Sequence, residues 1–120
     1  MKSILIKNAT LVSPEVRIEN AALLMEDGKI AAIYNDGDPL PEADIVYDAS
    51  DSYVVPGFID IHTHGAAGAD VTDETADAIY TVAKAKLAEG CTSFAPTTLT
   101  LPEETLAKSM EYLLFFFIFA

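Results

Sequence analysis

The two histidines of the chain, His62 and His64, are separated by one residue in the segment Phe58-Ile59-Asp60-Ile61-His62-Thr63-His64. Imidazole nitrogens bind divalent metal ions and carry protons in catalysis, so this pair is a candidate for either chemistry. Side chains alternate between the two faces of a strand, which places both imidazoles and the Asp60 carboxylate on one face. Two imidazoles at this spacing can reach one cation, and we predict that His62 and His64 are metal ligands.

The pair alone does not make a catalytic site. A His-x-His pair also occurs as a surface pair or a hydrogen-bonded pair, and zinc normally takes at least three protein ligands and keeps an open position. The nearby Asp70 and Asp73 lie just before a predicted helix, where a carboxylate is typical of a cap. The sequence therefore predicts part of a metal site, and imidazole ligands suit zinc, iron and other divalent ions alike.

Two further features are interpreted without a catalytic role. Gly65-Ala66-Ala67-Gly68 has neither the glycine spacing nor the following Lys-Ser/Thr of a phosphate cradle, which favours a flexible loop between a strand and a helix. Cys91 follows a glycine that can end a helix and has no histidine near it in sequence, which favours a small core residue over a nucleophile. We predict no site for an organic cofactor.

The composition excludes several classes of protein. Seven Lys and Arg against nineteen Asp and Glu give a net charge of −12, which argues against a nucleic-acid partner. A single cysteine excludes a disulfide framework and a cysteine-based zinc knuckle. A hydrophobic fraction of 51% excludes bulk disorder. We expect a soluble, globular protein of the cytoplasm.

The apolar segments near the two ends of the chain are too short to cross a membrane. The run that follows Lys2 is shorter than the core of a signal peptide. The uncharged run Leu113–Ala120 has eight residues, against about 20 for a membrane span. The start of a buried helix whose chain stops early and a frame-shifted end both explain the second run better than a membrane anchor does.

Residues 1–57 are predicted to form a small antiparallel sheet, because short β-rich segments alternate there with polar turns. Asp27-Gly28 is typical of a tight hairpin, in which both central residues need positive φ. The predicted strands are Lys2–Lys7, Thr10–Val12, Ala21–Glu26, Lys29–Tyr34 and Asp44–Asp48.

The pattern after residue 57 predicts strand, helix, strand and helix, and hence parallel strands. The strands are Phe58–His64 and Cys91–Thr97, with Ile59 and Ile61 expected to pack under the helices. The first helix is expected to begin near Thr72 or Asp73 and to end near Gly90, and the second to follow a capping box at Thr100–Glu103. The expected apolar stripes are Ala76, Ile79, Tyr80, Ala83 and Leu87 in the first helix, and Leu106, Met110, Leu113, Leu114 and Phe117 in the second.

Three segments resemble a known family. Val55–Gly65 (VPGFIDIHTHG) resembles the first barrel strand of the amidohydrolase superfamily, and Gly65–Asp70 (GAAGAD) and Gly90–Thr100 (GCTSFAPTTLT) resemble its N-acetylglucosamine-6-phosphate deacetylase family. The resemblance implies an α/β fold in which 1–57 is a partial β-sandwich domain. It also implies that 58–120 is the start (β1-α1-β2-α2) of a metal-dependent (β/α)₈ barrel, left incomplete in this chain.

The resemblance also implies a reaction, the hydrolysis of N-acetylglucosamine 6-phosphate to glucosamine 6-phosphate and acetate with a divalent zinc or iron ion. His62 and His64 match the family's first pair of metal ligands. The other ligands, the general-base Asp and the phosphate-binding residues are expected beyond residue 120, in a parent protein that forms homodimers. The chain alone is then an inactive N-terminal fragment. The alternatives are an amidohydrolase of the dihydroorotase or hydantoinase type, and a non-catalytic truncated product.

Overall fold

The computed structural model describes the backbone of residues 2–119 and the side chains of residues 2–114. The chain divides into two compact units, Met1–Pro56 and Gly57–Ala120. Neither helix in the described part of the chain is long and apolar enough to cross a membrane. The elements are β1 (Ser3–Ser13), β2 (Val16–Glu26), β3 (Lys29–Tyr34), β4 (Ile45–Asp48), β5 (Tyr53–Val54), β6 (Phe58–Thr63), β7 (Gly65–Ala66), β8 (Ala69–Asp70), α1 (Ala76–Ala88), β9 (Cys91–Pro96) and α2 (Glu103–Phe119).

The first unit is one sheet with the order β3-β2-β1-β4, in which β5 also pairs with β1. The antiparallel prediction is confirmed for β1, β2 and β3 and is wrong for β4, which runs parallel to β1. The short strand β5, which was not predicted, also runs parallel to β1. The reason is the connection through residues 35–44, which passes β2 and β1 so that β4 begins at the same end of the sheet as β3.

The turn between β2 and β3 follows from its two central residues. Asp27 and Gly28 have φ of 52° and 72°, as the predicted hairpin requires. The sheet buries apolar side chains on both faces, because successive residues of a strand alternate. Leu5, Ala22 and Leu24 form one cluster, and Leu11, Ala21 and Leu23 form the other.

Asp48, at the end of β4, is held by donors on two segments. The Ser50 hydroxyl donates to its Oδ1 at 2.6 Å, and the Asn8 side-chain amide donates to both carboxylate oxygens at 3.0 and 3.1 Å. The Ser50 N–H donates as well, at 3.1 Å. These donors favour the ionised carboxylate and lower the pKa of Asp48 to about 2, the Ser50 hydroxyl contributing most.

This arrangement predicts an acid-dependent contribution to stability. A carboxyl group with a lowered pKa in the folded state stabilises the fold above its unfolded pKa, near 4, and loses that contribution as pH falls toward 2. The free energy of unfolding of the wild type should exceed that of Asp48→Asn at pH 5, and the difference should narrow between pH 4 and pH 2. Urea unfolding followed by circular dichroism measures both. A difference that stays constant over this range would contradict the prediction.

In the second unit, β6 and β9 form the predicted parallel pair, and α1 and α2 follow them in the predicted order. Its core contains Val71, Ile79, Val82 and Leu113, packed against Ala66, Ala69 and Phe94. Val71 directly follows β8, so the short β7–β8 hairpin is anchored in this core.

Helix α1 begins later than predicted. Its N-cap is Thr75, whose hydroxyl accepts the Ala78 N–H at 3.2 Å, and not Thr72 or Asp73. The reason is competition, since the Thr72 N–H donates to Asp70 Oδ1 and the Asp73 carboxylate accepts the Asp70 N–H, both at 2.8 Å. These local hydrogen bonds hold residues 70–73 in turns, which delays the helix.

The predicted helix faces are partly wrong. Ile79 and Leu113 are buried as expected, while Tyr80, Leu87, Met110 and Leu114 are exposed. The core lies instead against the side of α1 that carries Ala78, Ile79 and Val82, and against Ser109 and Leu113 of α2. The Phe117 side chain lies outside the described residues. Ile59 and Ile61 do not pack under the helices, since they are 69% and 79% exposed.

Candidate metal centre

The two histidines converge where β6 ends. Their rings lie on the same side of the chain, with centroids 5.0 Å apart and planes at 85°. The His62 Nε2 atom is 3.3 Å from the His64 Nε2 atom. His62 is exposed and His64 is half-buried.

The separation of these nitrogens suits a shared cation. With zinc–nitrogen bonds of about 2.05 Å, nitrogens 3.3 Å apart subtend an angle of about 107° at the metal, close to the tetrahedral value. Two Nε2 lone pairs facing each other at this distance repel unless a proton or a cation lies between them. The geometry therefore fits two ligands of one tetrahedral ion.

The orientation of His64 is set by β9. Its Nδ1 lies 2.8 Å from the Thr97 carbonyl oxygen, and the Thr97 N–H donates to the Thr63 carbonyl at 2.7 Å. A carbonyl only accepts, so Nδ1 carries a proton, and in the neutral form of the ring Nε2 presents a lone pair. A second partner of this kind commonly orients a histidine that binds metal. No residue type signals this contact, because every residue has a carbonyl oxygen.

Asp60 is engaged with the protein and does not point at the two Nε2 atoms as a third ligand. Its Oδ1 accepts the His62 N–H at 3.0 Å, and its Oδ2 accepts from Lys86 Nζ at 3.1 Å. The His62 N–H and then the Lys86 ammonium lower the pKa of Asp60. Lys86 also pairs with Glu89 at 3.1 Å, and this contact and the one with Asp60 raise its pKa. The sequence did not predict the Lys86 contact.

The other residues considered in the sequence have structural roles in the loop after β6. Asp70 and Asp73 hold turns of the loop, as capping residues do, although the cap of α1 itself is Thr75. Gly65–Gly68, predicted to be a flexible loop, instead lies in the β7–β8 hairpin, whose central residues, Ala67 and Gly68, both have positive φ. Among the described residues, no group of three or more His, Cys, Asp or Glu could hold a metal ion.

Cys91 begins β9 opposite Phe58 and is half-buried, so the structure places it at the edge of the packed unit and not in its core. Its position at the amino end of a parallel strand puts it at the opposite end of the pair from His64, which follows the carboxyl end of β6. That Cys91 is not a nucleophile stays a prediction.

The segment that contains β6 and both histidines matches a known protein family. Residues 53–120 match the model of the Amidohydrolase family. The chain belongs to the amidohydrolase family. The match begins just before β6 and includes both histidines, β9 and α2.

Individual amidohydrolases resemble the chain over most of its length. It is 31% identical over 109 residues to the N-acetylglucosamine-6-phosphate deacetylase of Bacillus subtilis (strain 168), covering 91% of this chain and 28% of the relative. It is 34% identical over 110 residues to the dihydroorotase of Halalkalibacterium halodurans, covering 91% and 24%. The family resemblance found in the sequence is confirmed.

A solved amidohydrolase structure has the same fold over this region. The crystal structure of N-acetylglucosamine-6-phosphate deacetylase from Pasteurella multocida superposes with a TM-score of 0.89, covering 98% of this chain and 31% of that one, at 24% identity. The mixed α/β fold predicted from the sequence is therefore that of the corresponding part of this amidohydrolase. The chain spans between about a quarter and a third of the length of these relatives.

Proposed function

We propose that His62 and His64 are the first two metal ligands of a hydrolase that removes the acetyl group from N-acetylglucosamine 6-phosphate. The observation that carries this proposal is the 3.3 Å approach of the two Nε2 atoms at an angle suited to a tetrahedral ion. The 31% identity to a deacetylase named for this substrate supports the choice of reaction.

The proposed fold has two parts. Residues 1–57 would belong to a β-sandwich domain, and 58–120 would form the first two strand–helix units of a (β/α)₈ barrel. The superposition on a deacetylase structure and the parallel pairing of β6 with β9 support this arrangement. The His pair would then lie at the carboxyl end of the first barrel strand, which is where barrel enzymes place their catalytic groups.

In this reaction water adds to the acetamide carbonyl, the C–N bond breaks, and acetate and the free amine result. A bound zinc or iron ion would polarise the carbonyl and make water a better nucleophile near neutral pH. The residues of this chain would hold the ion, with His64 kept in the correct tautomer by Thr97. We propose that the further ligands, the general base and the groups that bind the phosphate lie beyond residue 120, in a homodimeric protein of the cytoplasm.

This proposal predicts no turnover by the 120-residue chain, because two imidazoles without a general base do not complete the site. The full polypeptide encoded by the reading frame that contains these residues should release acetate from N-acetylglucosamine 6-phosphate. A chelator and the substitution His62→Ala should both abolish that release. Acetate release by the 120-residue chain that is retained in His62→Ala would contradict the assigned role of the pair.

A second candidate is a dihydroorotase, favoured by the 34% identity to an enzyme of that name. The same polypeptide should be assayed with dihydroorotate, whose ring amide would be the bond hydrolysed. Ring opening of dihydroorotate without acetate release from the amino-sugar phosphate would replace the first proposal by the second and leave the metal role of His62 and His64 intact.

A further inference from the structure

We infer that Lys86, on α1, is a positioning residue for His62 and that it acts through Asp60. The inference rests on the metal role proposed for His62 and His64. Lys86 is 24 residues away from His62 in sequence. Among the described residues, it makes no hydrogen bond or ion pair with either imidazole.

Strand β6 is irregular beside the histidines. The register between β6 and β9 is interrupted between Asp60 and Thr63, so the regular ladder does not fix the backbone at His62. Within this interruption the His62 N–H donates to Asp60 Oδ1 at 3.0 Å. The Asp60 carboxylate thus accepts a backbone N–H of the kind that a neighbouring strand accepts elsewhere in a sheet.

Helix α1 anchors the Asp60 carboxylate. Lys86 Nζ lies 3.1 Å from Asp60 Oδ2, and the Lys86 side chain is 14% exposed and that of Asp60 23%. Screening by water is weaker for a pair this sheltered than for a surface pair, and the two oxygens of one carboxylate have different partners. The position of Asp60, and with it the backbone of His62, is therefore tied to the helix.

The two imidazoles are held by contacts from different elements. His64 is held by the Thr97 carbonyl at the end of β9, and His62 is held through Asp60 by Lys86 of α1. The distance between the two Nε2 atoms depends on both supports. Loss of the Lys86 contact should loosen only the His62 side of the pair.

The test compares Lys86→Met with two related variants of the same chain. Lys84→Met is the matched control, because Lys84 is an exposed lysine of the same helix that lies over the Tyr80 ring. Lys86→Arg keeps the positive charge. The readouts are Co²⁺ affinity, measured by competition with a chelator, and hydrogen exchange of the His62 amide in metal-free protein, measured by NMR.

We expect Lys86→Met to weaken Co²⁺ binding about 10-fold or more, as loss of an outer partner of a metal ligand does. The His62 amide should exchange faster in this variant, while the His64 Nδ1–H signal should stay unchanged. Lys86→Arg should bind Co²⁺ close to the wild-type value, and Lys84→Met should match the wild type in both readouts. Equal effects of Lys84→Met and Lys86→Met, or none from either, would overturn the inference.

Asp60→Asn keeps the inference testable if Lys86→Met does not fold. Asparagine retains an oxygen acceptor for the His62 N–H but loses the charge that holds Lys86, so Co²⁺ affinity should fall while the His62 amide keeps part of its protection. Wild-type affinity in Asp60→Asn would overturn the inference. If the wild-type chain does not bind Co²⁺, hydrogen exchange of the His62 amide in Lys86→Met against Lys84→Met still decides the positioning role, and equal exchange in the two variants would overturn it.

Discussion

Replacing His62 or His64 with alanine is expected to lower the affinity of the chain for Zn²⁺ or Co²⁺ by about 100-fold. Loss of an outer partner of a metal ligand already lowers metal affinity by about 10- to 100-fold, so loss of a ligand itself should reach the upper end of that range. The structure provides two nitrogens that already lie at the distance a tetrahedral ion requires. Binding therefore needs little rearrangement of either ring. With one ring removed, the other is a single ligand and this advantage is lost.

The two substitutions should lower metal affinity by similar amounts but differ in their effect on the stability of the fold. His62 is exposed, and its ring touches the protein only through the His64 ring among the hydrogen bonds of the described residues. His64 is half-buried and donates to the Thr97 carbonyl, so His64→Ala also leaves that acceptor without its partner. We expect His64→Ala, and not His62→Ala, to lower the thermal midpoint.

Asp36→Asn is the control for this experiment. A chain with a net charge of −12 attracts any divalent cation, and Asp36 is an exposed carboxylate in a loop of the first unit. Titration calorimetry at about 0.15 M salt, where long-range attraction is screened, should give the same affinity for Asp36→Asn as for the wild type. Unchanged affinity in both histidine variants would show that the ion binds to carboxylates and that the imidazole pair is not a ligand set.

Features that depend on local signals in the sequence were predicted correctly in several places. Asp27-Gly28 identified its hairpin because the turn depends on the φ preferences of those two residues alone. The spacing of His62 and His64 predicted rings on one side of the strand because alternation is a property of any extended backbone. The parallel pairing of β6 with β9 followed from the helix between them.

Features that depend on distant parts of the chain were not predictable in this way. The side of α1 that is buried depends on where Val71 and Leu113 lie, and the sequence of α1 alone offers apolar residues on more than one side. The contact of Lys86 with Asp60 joins residues 26 positions apart. The Thr97 carbonyl that orients His64 belongs to the backbone, so no residue type in the sequence identifies it.

Substituting Gly65, the residue that follows His64, is expected to disrupt the site through the backbone. A Cβ at Gly65 would overlap the Ala69 carbonyl oxygen and lie 2.9 Å from the Asp70 Cα. Both obstacles are backbone atoms, so no side chain can rotate away, and β8 must move. Overpacking of this kind lowers the free energy of unfolding by about 1–3 kcal/mol, which we expect for Gly65→Ala in urea unfolding.

The movement should also reach the metal centre. The Val71 N–H donates to the His64 carbonyl at 2.8 Å, and the Val71 side chain is 1% exposed in the core of the second unit. Displacing β8 therefore strains either the core contact of Val71 or its hydrogen bond to His64. We expect Gly65→Ala to weaken Co²⁺ binding although the substituted residue is not a ligand.

Gly68, in the same hairpin, separates this steric effect from the conformational preference of glycine. Gly68 has φ of +81° and open space where a Cβ would lie, the reverse of the situation at Gly65. Gly68→Ala should cost about 1 kcal/mol through its backbone conformation alone, and Gly68→Asn less, because asparagine tolerates positive φ. Neither should change Co²⁺ affinity, whereas Gly65→Asn should be at least as damaging as Gly65→Ala. Equal Co²⁺ affinities for Gly65→Ala and Gly68→Ala would show that the close approach of β8 to Gly65 does not hold His64 in place.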